Sequence, residues 1–398
     1  MDGLVLIDRG VIAAVGQRKS VALPRDCPVQ DLGERLLLPG FVNPHCHLDY
    51  TDMAGQIPPA KTFPEWINAI LALKAEWGYS EYALSWLAGA RMLLRSGTTT
   101  VGDIEAVPEL LPQVWASTPM RVISFLEMTG VRGRREPETV LREALEVISA
   151  LPLDHCCAML GPHAPYSTSS VLLRLAAQVA HSHQWPLTIH LSESAEEFEM
   201  FMHGKGVMFD WLRRNQRNMS DCGLGSPVQH LERLGVLGSN LLAVHVNYLA
   251  HGDAETLAKR RVSVVHCPRS HHYFRHARFP FDELDALGIN ICLGTDSLAT
   301  VWRIPGHRPT LSMFAEMQAF ASSSPGVSPA LILKMATLNG ARALGLAGKV
   351  GEITEGAAAD LIAMPFHGDS AGACASIVHE RNDPDGVMIA GRWMVAPS

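Results

Sequence analysis

Short apolar segments alternate with longer amphipathic segments along most of the chain. The segments between the apolar runs, such as FPEWINAILALKAEW and SSVLLRLAAQVAHSH, repeat apolar residues every three or four positions and predict helices. Because the apolar runs are nearly continuous rather than alternating, we expect strands covered on both faces, as in a parallel sheet flanked by helices. These predicted strands are residues 36–43, 98–104, 121–128, 156–161, 186–192, 241–249, 262–267 and 289–297.

Eight strand and helix units between residues 36 and 297 favour an α/β fold of the (β/α)8 TIM-like barrel type. An open doubly wound sheet is the alternative, but no GxGxxG phosphate turn follows a predicted strand. The chain ends instead read as short strands with glycine turns, and they predict a small β-sandwich domain built from both termini. We therefore divide the chain into residues 1–38 and 346–398, which form the sandwich, and residues 39–345, which form the barrel.

Composition and charge narrow the class of partner. The chain has 398 residues, of which 47% are hydrophobic and 18% charged, with a formal net charge of −7. Because Lys and Arg are scattered, we expect neither a nucleic-acid nor a membrane surface, and a small-molecule substrate fits better. The eight cysteines include no CxxC pair, so we expect a protein with reduced thiols. We expect it to be cytoplasmic, because the sequence shows no signal peptide and no apolar run of about 18 residues. The oligomeric state stays open between a monomer and a homo-oligomer.

Polar residues fall at the ends of the predicted strands, where barrel enzymes build their active sites. A lone histidine in an apolar strand is ordinarily a hydrogen-bonded core residue, but His45 and His47 occupy alternate positions of one strand and share a face. The intervening Cys46 points away from that face and is predicted to pack. Imidazole nitrogens with one carboxylate suit Zn²⁺ or a similar first-row ion, with a position open for water. The further strand-end residues are His163, His190, Glu193, His245 and Asp296.

Six motifs in order carry a resemblance to a known family. They resemble motifs of the amidohydrolase superfamily, specifically its cytosine deaminase-like branch. The six motifs are PGFVNPHCHLD, SGTTTVGD, GPHAPYS, IHLSES, AVHVNYL and LGTDSLA. This branch includes guanine, adenosylhomocysteine and methylthioadenosine deaminases and the triazine hydrolases. The resemblance covers nearly the whole chain, because ATLNGARALGLAGKVGEITEGAAADLIAM is similar to the family's return into its small β-sandwich. The N-terminus is short for this family, as if a first strand were absent.

The resemblance implies a role for each strand-end residue. His45, His47, His190 and Asp296 are expected as metal ligands. Glu193 is expected as the proton shuttle, His245 near the attacked carbon, and His163 facing the substrate. Glu193 follows His190 by three residues, so a regular strand cannot place both on one face, and the strand-to-helix junction must turn Glu193 inward. Asp296, as ligand and acceptor, is also expected to orient the attacking water.

One metal ion is predicted rather than two. Lysine-bridged binuclear relatives need a lysine on the fourth strand, yet no lysine occurs between Lys74 and Lys205. The implied cofactor is therefore one divalent ion, Zn with Fe as the alternative.

The predicted function is a mononuclear metal-dependent aminohydrolase, a hydrolase of carbon–nitrogen bonds in cyclic amidines. The expected substrate is an amino-substituted N-heterocycle, in particular a purine nucleoside derivative such as adenosylhomocysteine, methylthioadenosine or aminodeoxyfutalosine. A hydrolytic dechlorinase and a guanine or pterin deaminase are alternatives within the branch. A metal-free scaffold protein is the alternative of a different class, and it is disfavoured because this chain keeps every expected ligand.

Several residues leave the substrate open. Trp66 resembles a helix residue that stacks on bases in nucleoside-directed relatives, although it also suits a helix core. Arg132, Arg134 and Arg135 either meet a carboxylate or phosphate or form a solvated turn. His271, in HCPRSHHYF, stands where asparagine is common in this branch.

Overall fold

The computed structural model describes residues 3–130, 135–303, 306, 308–380 and 383–397. Within these residues the strands are, in chain order, β1 (Gly3–Asp8), β2 (Val11–Gln17), β3 (Arg35–Pro39), β4 (Phe41–Cys46), β5 (Thr98–Glu105), β6 (Arg121–Met128), β7 (Cys157–Pro162), β8 (Leu187–Leu191), β9 (Leu241–His245), β10 (Ser263–His266), β11 (Ile291–Leu293), β12 (Leu361–Pro365), β13 (Gly386–Ile389) and β14 (Arg392–Val395).

The helices of the same residues lie mainly between the central strands. They are α1 (Phe63–Glu76), α2 (Tyr79–Arg95), α3 (Leu111–Trp115), α4 (Pro137–Ala150), α5 (Ser170–His183), α6 (Ala195–His203), α7 (Val207–Arg214), α8 (Pro227–Arg233), α9 (Asp253–Arg260), α10 (Pro268–Phe274), α11 (Phe281–Ala286), α12 (Met313–Ser323), α13 (Pro329–Met335), α14 (Leu338–Ala343) and α15 (Ala373–Val378). Short 3-10 turns occupy Leu48–Met53, Pro108–Leu110 and Leu298–Thr300.

Two four-stranded parallel sheets form the centre of the molecule. One has the order β4-β5-β6-β7 and the other β8, β9, β10 and β11, so neighbours in the chain are neighbours in each sheet. Every residue of β5 and of β8 is buried, as expected for strands covered on both faces. The prediction of an α/β fold with parallel strands is therefore confirmed.

The two parallel sheets contact each other at the carboxyl ends of their outer strands. After β7, the carbonyl oxygen of His163 accepts a hydrogen bond from the backbone N–H of His190 in β8 at 2.9 Å. On the other side, Cys46 of β4 forms an isolated parallel bridge with Asp296, which follows β11. These contacts bring residues from both sheets to one place.

Both ends of the chain contribute to an antiparallel β layer. Its sheet has the order β14-β13-β12-β3. The hairpin of β1 and β2 joins this layer through a bridge between Val11 and Ala358, and Ile12 is buried against Leu361 and Met388. Residues from the first and last parts of the sequence therefore share one small core.

The structure corrects the boundaries of three predicted strands. The predicted strand 36–43 is two strands, because β3 pairs antiparallel with β12 whereas β4 pairs parallel with β5. Gly40 separates them, and a side chain there would clash with Thr99. The predicted strand 241–249 ends at His245, where the backbone turns to a positive φ of 74°. The predicted strand 289–297 shortens to three residues, Ile291–Leu293.

Among the described residues, no helix combines the length and the apolar character that crossing a membrane would require.

Candidate functional site

Four of the predicted residues meet where the two parallel sheets contact each other. His45 and His47 leave the end of β4, His190 lies in β8, and Asp296 follows β11. Nε2 of His47 is 3.4 Å from Nε2 of His190. Oδ1 of Asp296 is 3.7 Å from Nε2 of His45 and 3.6 Å from Nε2 of His47. Cys46, between the two histidines, packs in the hydrophobic cluster on the other side of the strand.

The donor set of this cluster fits a divalent metal ion. One ligand atom from each of His45, His47 and His190 lies within 4.8 Å of the others. Both ring nitrogens of His45 and Nδ1 of His47 are buried without a hydrogen-bond partner among the described residues. Buried polar atoms without a partner are costly, so the arrangement favours an ion that uses them. Three imidazoles and one carboxylate form a donor set typical of first-row divalent metals.

The protonation of the histidines also suits a metal ion. Burial, and next the neighbouring His45, lower the pKa of His47 to about 3. Burial and the nearby His163 hold the pKa of His190 well below its ordinary value. Nδ1 of His190 is 2.9 Å from the carbonyl oxygen of His163, so Nδ1 carries the ring proton. Nε2 of His190 therefore keeps its lone pair. Neutral imidazoles are the form that binds metals.

A second group of ionisable side chains shares Asp296. Ligand atoms of Glu193, His245 and Asp296 lie within 4.8 Å of one another, and Nε2 of His245 is 3.6 Å from Oε1 of Glu193. Burial, and next the charge of Asp296, raise the pKa of Glu193 well above its ordinary value. Burial lowers the pKa of His245 to about 3. At neutral pH the group therefore combines a carboxyl able to give a proton with a neutral imidazole.

Strained backbone at the strand ends aims these side chains into the site. Ser192, His245 and Asp296 have positive φ angles of 52°, 74° and 52°, a region that residues other than glycine rarely adopt. The turn at Ser192 redirects the chain after β8, and Glu193 consequently reaches His245. The sequence-based expectation that the strand-to-helix junction must turn Glu193 inward agrees with this geometry.

Hydrogen bonds hold the backbone of Glu193 on both sides. The carboxylate of Glu197 accepts from the backbone N–H groups of Ser192 at 3.2 Å and Glu193 at 2.8 Å. Nδ2 of Asn247 donates to the carbonyl oxygen of Glu193 at 2.9 Å. Sequence reasoning did not single out Glu197 or Asn247. For Glu197 a signal existed, because Ser194 and Glu197 have the S-x-x-E spacing of a helix start.

His163 lies beside the cluster in a segment that is firmly held. Its ring centroid is 4.8 Å from that of His190, and its Nδ1 is 2.6 Å from Oγ of Ser167. The buried guanidinium of Arg217 donates to the carbonyl oxygens of Tyr166 at 2.9 Å and Pro165 at 3.0 Å. Sequence reasoning did not identify Arg217, because nothing near it in the chain indicates that it contacts this segment.

Asp103 fixes the turn that follows His47. Its Oδ1 accepts from the backbone N–H of Leu48 at 3.0 Å, and its Oδ2 accepts from Nε1 of Trp86 at 2.8 Å. This aspartate belongs to the SGTTTVGD motif, and its contacts show what the motif contributes to the site.

The remaining candidates lie in different surroundings. Trp66, in α1, stacks on Phe63 with ring centroids 5.8 Å apart and packs in a cluster that includes Tyr166. Because the ring of Tyr166 is 5.7 Å from that of His163, this aromatic cluster borders the site. Arg135 is on the surface and pairs with Glu143, which agrees with a solvated turn. Arg132 and Arg134 lie outside the described residues.

Three comparisons relate the chain to known proteins. The model of the amidohydrolase family matches residues 36–394. A protein of Syntrophobacter fumaroxidans named 5-methylthioadenosine/S-adenosylhomocysteine deaminase is 32% identical over an alignment that covers 92% of this chain and 80% of that protein. An aminofutalosine deaminase of Helicobacter pylori in complex with methylthio-coformycin superimposes with a TM-score of 0.84 at 22% identity, covering 99% of this chain and 95% of the other. An adenosine deaminase of Xanthomonas campestris with bound zinc gives a TM-score of 0.80 at 24% identity, covering 99% and 88%.

Proposed function

Since the chain belongs to the amidohydrolase family, we propose that it is a mononuclear metal-dependent aminohydrolase that removes the amino group of a purine nucleoside derivative. It is a hydrolase of carbon–nitrogen bonds in cyclic amidines, as its named relative is a deaminase. One observation carries this proposal above the others. The group of Glu193, His245 and Asp296 shares Asp296 with a cluster of three buried histidines.

The fold that supports this activity is a closed (β/α)8 barrel. The hydrogen bond between His163 and His190 on one side, and the bridge between Cys46 and Asp296 on the other, support closure of the two parallel sheets into one barrel. Residues 39–345 form this barrel. Residues 1–38 and 346–398 form a small β-sandwich, which the pairing of β3 with β12 supports.

We assign one divalent ion to His45, His47, His190 and Asp296. A divalent ion at such a site activates water for attack at neutral pH. Zinc suits the nitrogen-rich donor set and is bound by the Xanthomonas campestris deaminase, and iron is the alternative. A second, lysine-bridged ion is disfavoured because the sequence has no lysine between Lys74 and Lys205.

The side chains divide the proton transfers of hydrolytic deamination among them. Water adds to the ring carbon that bears the amino group, the carbon–nitrogen bond breaks, and ammonia leaves a ring carbonyl behind. The carboxylate of Asp296 accepts a hydrogen bond from the attacking water and orients it. The carboxyl of Glu193 protonates the ring nitrogen, takes up the proton that the attacking water loses, and passes it to the departing amine, while the remaining hydroxyl proton returns to Glu193 as the ring carbonyl forms; such a role is worth about 10²- to 10⁴-fold in rate. The neutral ring of His245, whose Nε2 has no hydrogen-bond partner among the described residues, polarises the ring carbon under attack.

The surroundings of the site support a purine nucleoside as substrate. Trp66 and its aromatic neighbours form an apolar cluster beside His163, and aromatic rings of this kind can stack on a heteroaromatic base. The relatives carry names of enzymes acting on methylthioadenosine, adenosylhomocysteine, aminofutalosine and adenosine. We therefore assign a small-molecule substrate of this class, and His163 and Trp66 contact it.

A panel of heteroaromatic amines tests the proposed reaction. Purified protein, stripped of metal and then reloaded, is assayed for ammonia release from adenosine, methylthioadenosine, adenosylhomocysteine, aminodeoxyfutalosine, guanine, a pterin and an aminotriazine. We expect ammonia from at least one purine nucleoside with the reloaded protein and none with the stripped protein. The absence of ammonia from every ring amine at full metal occupancy would contradict a deaminase. A chlorotriazine is assayed in parallel for chloride, and chloride release from it would favour the dechlorinase.

A further inference from the structure

A second histidine-bearing element lies beside the strand end that carries His245. α10 follows β10 directly, and its His271 is buried, with 8% of its surface exposed. Nδ1 of His271 is 3.0 Å from Oδ1 of Asn247, the residue two positions after His245. Because Asn247 also contacts the carbonyl oxygen of Glu193, a single side chain connects His271 to the backbone of Glu193.

The hydrogen bonds that link His271 to Glu193 through Asn247 allow one assignment of donors and acceptors. Nδ2 of Asn247 donates to Glu193, so Oδ1 is the acceptor that faces His271. His271 must therefore carry its proton on Nδ1. Burial, and next the nearby His272, lower the pKa of His271 to about 4, so the ring is neutral at pH 7 and holds only one ring proton.

Asn247 is well placed to fix the strained turn before Glu193. Its backbone N–H donates to the carbonyl oxygen of Ser192 at 3.0 Å, and its side chain donates to the next carbonyl at 2.9 Å. Glu197 holds the N–H groups of the same two residues from the other side. A residue other than glycine at a φ of 52° persists only where its surroundings hold it, and Asn247 supplies half of these contacts.

We propose that His271 and Asn247 are positioning residues that hold the Glu193 peptide, and hence its carboxyl, in the site. His271 acts through Asn247, because its Nδ1–H fixes the orientation of the Asn247 amide. This inference rests on the proposed function to the extent that Glu193 is the proton shuttle. The tautomer of His271 is a consequence of the geometry alone and does not depend on the reaction.

Two variants of His271 and one control separate a positioning role from a general structural role. His271→Phe keeps a ring but removes the donor, whereas His271→Asn keeps an N–H near the position of Nδ1. We expect His271→Phe to lower kcat by about 10- to 100-fold with KM and bound metal little changed, as for other side chains that orient a catalytic group. We expect His271→Asn to retain most of kcat. His272→Phe, the same change at the exposed neighbouring histidine, is the matched control and should behave like the wild type.

A double-mutant comparison tests whether His271 acts through Asn247. Asn247→Leu should lower kcat to a similar degree, and Asn247→Leu with His271→Phe should be no worse than Asn247→Leu alone. Losses that multiply in the double variant would overturn the proposal, because they would show that His271 acts independently. A failure of His271→Asn to restore kcat would overturn it as well.

The tautomer provides a readout that needs no substrate. In ¹⁵N-histidine NMR spectra of the metal-loaded protein, we expect His271 to be protonated on Nδ1, and we expect Asn247→Leu to change its signals. Protonation on Nε2 in the wild type would overturn the proposal whatever the activity. If the wild type deaminates nothing, the proposed function fails, whereas the NMR result still decides the contact between His271 and Asn247.

Discussion

Glu193 occupies a position that a regular strand would not provide. It lies three positions after His190, and the positive φ of Ser192 turns it toward His245. Its surroundings also determine its chemistry, because burial and the charge of Asp296 raise the pKa of its carboxyl. A carboxyl with a raised pKa is suited to deliver the proton that the ring nitrogen requires.

Replacing the carboxyl of Glu193 by an amide should abolish most of the activity. Glu193→Gln keeps the shape of the side chain but cannot transfer a proton, so we expect kcat to fall by about 10²- to 10⁴-fold. Bound metal and the unfolding midpoint should stay at wild-type values. Glu199→Gln, on the exposed side of α6, is the control and should leave ammonia release unchanged. Full activity in Glu193→Gln would remove the proton shuttle from the mechanism.

The sequence allowed the side chains with distinctive chemistry to be identified, but not the side chains that position them. That His45, His47, His190 and Asp296 meet could be predicted, because each lies at the end of a predicted strand and carries a ligand type that metals bind. Asn247 and Arg217 could not, because an asparagine or a buried arginine is identified by its partners, and those partners lie far away in the sequence. His271 was noted as unusual, but only the structure reveals its contact with Asn247.

Among the elements, the segment after β7 receives two hydrogen bonds from one guanidinium. Arg217 forms two hydrogen bonds with Asp221 at 2.7 Å and 2.8 Å, and two with the carbonyl oxygens of Pro165 and Tyr166. His163 begins this segment, and its own carbonyl oxygen accepts from Nδ1 of His190. The segment therefore links the packing of residues 217–221 to the orientation of a metal-ligand candidate.

Loss of the Arg217 guanidinium should destabilise the protein. Arg217→Met leaves Asp221 and two carbonyl oxygens without their donors in a mostly buried position, so we expect a loss of about 3–5 kcal/mol in the free energy of unfolding. Chemical denaturation at neutral pH measures this change. Arg142→Met, which breaks an exposed ion pair with Glu146 on α4, is the control and should leave the unfolding midpoint unchanged. Equal unfolding midpoints for the two variants would contradict the structural role of Arg217.

Element boundaries depend on partners that a local pattern does not contain. The run 36–43 is evenly apolar, yet β3 and β4 belong to different sheets because β3 pairs with β12 near the other end of the chain. The run 241–249 continues to be apolar beyond His245, but the turn of the backbone there ends the strand. Periodicity predicts the type and order of the elements, whereas the hydrogen-bonded neighbours determine where each one stops.

In the molecule as a whole, the parallel sheets and the terminal β layer have separate tasks. The parallel strands bring His45, His190 and Asp296 together from distant parts of the chain, and strained turns lie at Ser192, His245 and Asp296. The layer formed from both chain ends includes β3, which pairs with β12 and lies immediately before β4 and the first two histidines. The order of the central strands could be predicted from the sequence. The substrate could not, because its contacts depend on side chains such as Trp66, whose neighbours in the fold come from distant parts of the sequence.

A metal titration coupled to ammonia release tests the central claim most directly. Protein stripped of metal is titrated with zinc while bound metal and the deamination of the best substrate of the panel are followed together. We predict that activity rises in proportion to bound metal and reaches its plateau at one equivalent, and that His47→Ala, which lacks a ligand, neither retains the ion nor releases ammonia. Full ammonia release by the stripped protein, or a plateau only at two equivalents, would contradict a mononuclear metal-dependent deaminase.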